Sequence, residues 1–135
     1  MIAGLPPMLR TFRRPQLWLA LWALMIVAVI VLSLMPKPPI PPALMIGKID
    51  HLIAYVALAA FAVQLFEERC LQLGACMALA GLGIALELAQ GYLTTYRHMA
   101  TYDATVDALG VALGFATTWT PIARMLSQID ARLLR

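Results

Sequence analysis

Charged side chains are scarce in this sequence. Asp, Glu, Lys and Arg make up 13% of 135 residues, and hydrophobic residues 62%; a soluble domain carries about 25% charged residues. At this length the chain is expected to form one domain, and lipid rather than water is its expected main solvent. Cysteine is equally sparse. Cys70 and Cys76 lack CxxC spacing and read as small apolar filler rather than redox centres or metal ligands. No nucleophile motif, phosphate-binding glycine loop, metal-ligand set or internal repeat is recognisable, so neither a cofactor nor a metal is expected. The formal net charge is +3, but the basic residues form no stripe, and a nucleic-acid partner is not expected.

Long apolar runs are plentiful. A helix of about 20 apolar residues spans the hydrocarbon core of a bilayer, and four such windows appear, at about 17–35, 49–66, 70–91 and 103–123. The first follows Arg10, Arg13 and Arg14. It is longer than the apolar core of a signal peptide and ends without a small-residue cleavage site, so it reads as a retained helix. The segment PKPPIPP at 36–42 cannot be helical, because proline lacks the amide donor and disfavours helix in the residue before it. It is predicted to be an extended crossover. The short Glu67–Arg69 turn makes the second and third helices antiparallel neighbours. The fold expected is an all-α integral membrane protein, a bundle of four transmembrane helices.

Cytoplasmic flanks of membrane proteins hold the excess of Lys and Arg. With the amino terminus inside, that side carries Arg10, Arg13, Arg14, Arg69, Arg124, Arg132 and Arg135, against Lys37, Lys48 and Arg97 outside. Both termini are therefore expected in the cytoplasm, with Trp18, Trp22 and Trp119 toward the inner interface and Tyr92, Tyr96 and Tyr102 at the outer one.

Against this apolar background, the polar residues gather at one level. His51 and Tyr55 are spaced i, i+4 and share a helix face. Counting 1.5 Å per residue puts Tyr55, Glu87 and Asp107 about 6 Å below the outer ends of three different helices. His51, Gln90 and Asp103 come above them, and Arg97 lies on the outer loop. Gly110 and Gly114 follow Asp107 on its face, and Ala80 and Gly83 precede Glu87, so small residues let these helices approach closely. Ionisable groups inside a membrane are costly and mark functional sites by default. Plainer roles compete: a Glu87–Arg97 ion pair pinning the loop, Lys48 as an interfacial anchor, and Asp103 as the N-cap of the fourth helix.

The series K-x-x-H-x-x-x-Y (Lys48, His51, Tyr55), E-x-x-Q (Glu87, Gln90) and R-x5-D (Arg97, Asp103), followed by Gly110 and Gly114, resembles the VanZ-like family over about residues 17–123. Two positions depart from the family pattern. Gly47 stands where an Asp often precedes the Lys, and Asp107 stands where an Asn is frequent. The second change swaps a donor-acceptor group for one that only accepts when ionised. The family's namesake is associated with low-level teicoplanin resistance, and most relatives carry no assigned biochemical activity.

Three functional classes fit these residues. One is a protein of the bacterial cytoplasmic membrane that binds or modulates a lipid-linked cell-envelope intermediate, or a lipophilic glycopeptide, through Lys48, His51, Tyr55, Glu87, Gln90, Arg97, Asp103 and Asp107. Another is an enzyme on a lipid-linked head group, with Glu87 or Asp107 as general base and His51 as acid or orienter. The third is a small transporter, disfavoured because the cytoplasmic half offers no ionisable partner to continue a path. Membrane lipids are partners in every case.

Overall fold

The computed structural model describes residues 8–36, 46–95 and 101–133, the side chains of 46–48 and 101 excepted. Most of the proline crossover, Lys37, Tyr96, Arg97, His98 and Arg135 therefore lie outside the described residues, as does the side chain of Lys48. The regular elements of the described chain are all helices: α1 Pro15–Leu34, α2 Ile46–Leu65, α3 Arg69–Leu93, α4 Thr101–Ala116 and α5 Met125–Leu133, with short 3-10 turns Thr117–Trp119 and Pro121–Arg124 between the last two. Helices α1 and α3 are long and apolar enough to cross a membrane, and α4 with its bent continuation makes a third candidate. The apolar part of α2, Ile49–Leu65, is shorter.

Helix starts follow local chemistry. Pro15 opens α1, where its missing amide would be unsatisfied in any case and its fixed φ suits the first turn. The two acids Glu67 and Glu68 separate α2 from α3, and so short a link forces the antiparallel hairpin read from the sequence. The turn defines one end of the molecule, the hairpin end. At the other, the open end, α2 begins and α3 finishes.

The fourth helix does not run unbroken to Ala123 as its apolar run suggested. Thr120 is extended, with φ −117° and ψ 162°, because the Pro121 ring disfavours the helical region in the residue before it. Pro121 then starts a new turn, and the chain bends by 79° at this break. The resulting α5 lies across the hairpin end with Leu126 and Asp130 on its buried face.

Packing is centred on α2, which buries Leu58, Ala59, Ala62, Val63 and Leu65 and meets α4 over the most extensive helix pairing. A β-carbon on Gly114 would stand 2.5 Å from Ala59 Cβ and 2.6 Å from the Val56 carbonyl oxygen. One on Gly110 would stand 2.9 Å from the Leu52 carbonyl oxygen. The i, i+4 glycines of α4 therefore let two backbones touch. Helix α1 lies outside this core. Its inner side adds Trp22, Met25, Ile26 and Val29 to the cluster around Tyr55, Leu58 and Leu79, while Leu24, Val27, Val31 and Leu32 are exposed. So large an unbroken apolar surface exceeds the patches a soluble monomer shows to water.

At the hairpin end the chain before α1 crosses the α2–α3 turn. The Arg10 amide donates to the Leu65 carbonyl at 2.8 Å, and Phe12 packs with Leu65 and Leu126. Three buried polar side chains tie the elements together. Gln72 Nε2 donates to the Phe66 carbonyl at 2.9 Å and the Val63 carbonyl at 3.3 Å, and its Oε1 accepts from Thr118 at 3.0 Å. Gln64 Oε1 accepts from the Leu126 amide at 2.8 Å. Asp130 accepts from the Arg13 amide at 2.6 Å and from Trp18 Nε1 at 2.7 Å.

Candidate functional site

The open end holds the polar residues singled out in the sequence. His51 and Tyr55 come from α2, Glu87 and Gln90 from α3, Asp103 and Asp107 from α4. Tyr55, Glu87, Gln90 and Asp107 are all buried, Asp107 to 1% exposure and Glu87 to 4%. Neither acid faces the lipid-like apolar surface.

The contacts are closer than depth counting predicts. His51 Nδ1 lies 3.0 Å from Asp107 Oδ1, although the sequence put the two residues on successive levels. Helices α2 and α4 both start at the open end, at Ile46 and Thr101, so His51 and Asp107 stand at nearly the same distance from their helix starts. The Tyr55 hydroxyl sits on the same side. A β-carbon on Gly83 would stand 3.0 Å from Asp107 Oδ2 and 3.4 Å from the Tyr55 hydroxyl, so Gly83 of α3 is the floor against which both polar groups rest. The Tyr55 hydroxyl is within electrostatic range of Asp107 and Glu87.

With Nδ1–H donated to the carboxylate, the neutral His51 ring carries its lone pair on Nε2. A buried carboxylate that fixes the tautomer and orientation of a histidine is the arrangement by which general bases are poised. The His51 side chain is 15% exposed and that of Asp107 2%, so within this pair the histidine is nearer the surface. Tyr55 completes the group. Its hydroxyl is buried and has no hydrogen-bond partner among the described residues, which is uncommon, since buried polar atoms are nearly always satisfied.

The remaining sequence candidates are placed differently. Gln90 turns to α1, where its Nε2 donates to the Ser33 carbonyl at 2.7 Å and holds the end of that helix to α3. Asp103 is half-buried in the first turn of α4, whose helix begins two residues earlier at Thr101. It is therefore not the N-cap but an acid near the positive end of the helix dipole. Among the described residues no group of three or more His, Cys, Asp or Glu side chains is arranged to hold a metal ion. Cys70 and Cys76 are both free thiols.

The roles of Gln64, Gln72 and Asp130 went unread in the sequence, and their partners explain why. Most are backbone groups, which no side-chain pattern encodes. No protein-family model, curated protein or solved structure matches the chain.

Proposed function

We propose that the chain is a VanZ-like protein of the bacterial cytoplasmic membrane that binds a polar head group at its open end. The reading has four spans, α1, α2, α3 and α4 with its 3-10 extension, both termini in the cytoplasm, and α5 along the inner surface. The distribution of Lys and Arg and the exposed apolar flank of α1 support it. In this orientation the open end faces outward, where a lipid-linked cell-envelope intermediate or a lipophilic glycopeptide would meet it, in a role like that of teicoplanin resistance. His51, Tyr55, Glu87 and Asp107 contact the head group, and Asp103 lies beside them, while Gln90 supports the site by tying α3 to α1; the expected roles of Lys48 and Arg97 fall outside the described residues.

The observation that carries the reading is the buried Tyr55 hydroxyl without a partner, set beside the His51–Asp107 pair. An unsatisfied buried hydroxyl costs about 1–3 kcal/mol, and a ligand oxygen supplies the missing partner. Mass spectrometry of lipids carried through purification from native membranes tests this. Tyr55→Phe and Glu87→Gln are expected to lower a specific co-purifying species about tenfold, the worth of roughly one hydrogen bond. Equal retention in wild type and both variants would remove the head-group role.

The 3.0 Å contact of His51 Nδ1 with Asp107 favours a second reading, a membrane-embedded hydrolase or transferase acting on the same lipid-linked head group. There His51 is the general base and Asp107 its orienter. Turnover of a lipid-linked substrate by wild type, lost in His51→Gln while co-purification persists, selects this reading over binding alone.

A further inference from the structure

A second polar region lies at the hairpin end, about 560 Å³ in volume and lined by Arg10, Arg69, Arg124, Glu67 and Trp119 among others. Three guanidinium groups face one carboxylate. Arg10 lies 3.7 Å from Glu67, too long for a strong charge-assisted bond, and Arg10 Nε is buried with no hydrogen-bond partner. Among the described residues no carboxylate pairs with Arg69 or Arg124. Arg69 instead lies 5.6 Å from the centre of the Trp119 ring, a cation–π contact that holds its charge at the rim. The cleft also takes in the first turn of α3, whose helix dipole adds to the positive field. Excess positive charge and a buried guanidinium donor without a partner among the described residues suit an anion.

We propose that this cleft binds a phosphate group. Guanidinium forks match phosphate oxygens bidentately, and the volume admits a glycerophosphate head group. Two sources offer that chemistry: the head group of an anionic inner-leaflet phospholipid, whose tails would run along the apolar helices, and free phosphate from the cytoplasm. Trp119, which is exposed, stands at the rim as interfacial tryptophans do. The lipid source rests on the proposed orientation; the phosphate chemistry does not.

The test uses the full chain in neutral detergent, titrated in native mass spectrometry with phosphatidylglycerol, with phosphatidylcholine and with inorganic phosphate. Wild type is expected to hold phosphatidylglycerol about tenfold more tightly than phosphatidylcholine, whose phosphate is offset by its own choline. Arg69→Gln/Arg124→Gln loses that preference. Arg132→Gln, an exposed arginine outside the cleft, keeps it, which excludes a bulk-charge effect. Glu67→Gln removes the opposing carboxylate and tightens binding by about threefold, a gain that misfolding cannot produce. Saturable binding of inorganic phosphate that depends on Arg69 and Arg124, without preference between lipids, assigns the site to free phosphate. Wild-type phosphatidylglycerol preference in the double variant, or no binding of any probe to wild type, overturns the proposal.

Discussion

Both ends of the bundle tie buried polar side chains across helices, and they differ at one buried hydroxyl, that of Tyr55. At the hairpin end Gln64, Gln72 and Asp130 are each hydrogen-bonded across elements, so burial there locks α5, the α2–α3 turn and the segment before α1 together. At the open end His51 and Asp107 face each other beside a hydroxyl that no described residue satisfies. Buried polar groups that are fully bonded rigidify a fold, and one left open points to a missing partner. The Gln64, Gln72 and Asp130 ties are therefore read as structure, and the Tyr55 hydroxyl as part of a site.

The comparison presupposes that α2 and α4 stay in contact, so the largest effect is expected at Gly114. Gly114→Leu drives a side chain into Ala59 and the Val56 carbonyl and should cost about 3 kcal/mol or more. A detergent unfolding series that left the midpoint unchanged would show that the two backbones do not touch. Next comes Gln72→Leu, which leaves the Phe66 carbonyl and the Thr118 hydroxyl without their partner. It should destabilise by about 1–3 kcal/mol. A neutral result would show that Gln72 does not tie the hairpin end together.

Asp130 provides a local, pH-dependent version of the same test. Burial pushes its carboxyl up, but the amides of Arg13 and Arg14, the Trp18 indole and the Arg13 charge together outweigh burial and hold it below the usual 3.8. A carboxyl with a depressed folded value stabilises the docked state fully above its unfolded value, and that contribution is lost as pH falls through the folded one. Hydrogen exchange of α5 amides should accelerate below about pH 3.8 in wild type. In Asp130→Asn it should be faster at neutral pH and flat across that range. Identical profiles would mean that the carboxylate does not hold α5.

How much of this was legible in the sequence depended on whether the cause was periodic. Apolar windows found α1 and α3 within two residues at each end, and the two-acid link gave the α2–α3 hairpin. The meeting of α2, α3 and α4 through Tyr55, Gly83 and Asp107 was foreshadowed by small residues on the acid-bearing faces. Depth counting failed to put His51 on Asp107 because it began the second helix near residue 49, whereas α2 starts at Ile46 and carries His51 nearly a turn deeper. The apolar run through 103–123 hid the break at Pro121, where one backbone constraint outweighed hydropathy. Gln90 gave no sign of its partner, since a carbonyl at the end of α1 leaves no mark on the sequence.

The smallest expected effect on stability is at Tyr55, and its smallness sharpens the contrast with Gln72. Deleting a bonded polar atom strands its partners, whereas deleting the Tyr55 hydroxyl strands nothing, because it makes no hydrogen bond in the empty protein. Tyr55→Phe removes an unsatisfied donor and keeps the ring that packs against Leu58 and Leu79. The folded state should then lose no stability, because the cost of burying that hydroxyl goes with it, while head-group retention falls. A loss as large as that of Gln72→Leu would mean that the hydroxyl is bonded within the protein itself, and the open end would then be the same kind of structural tie as the hairpin end.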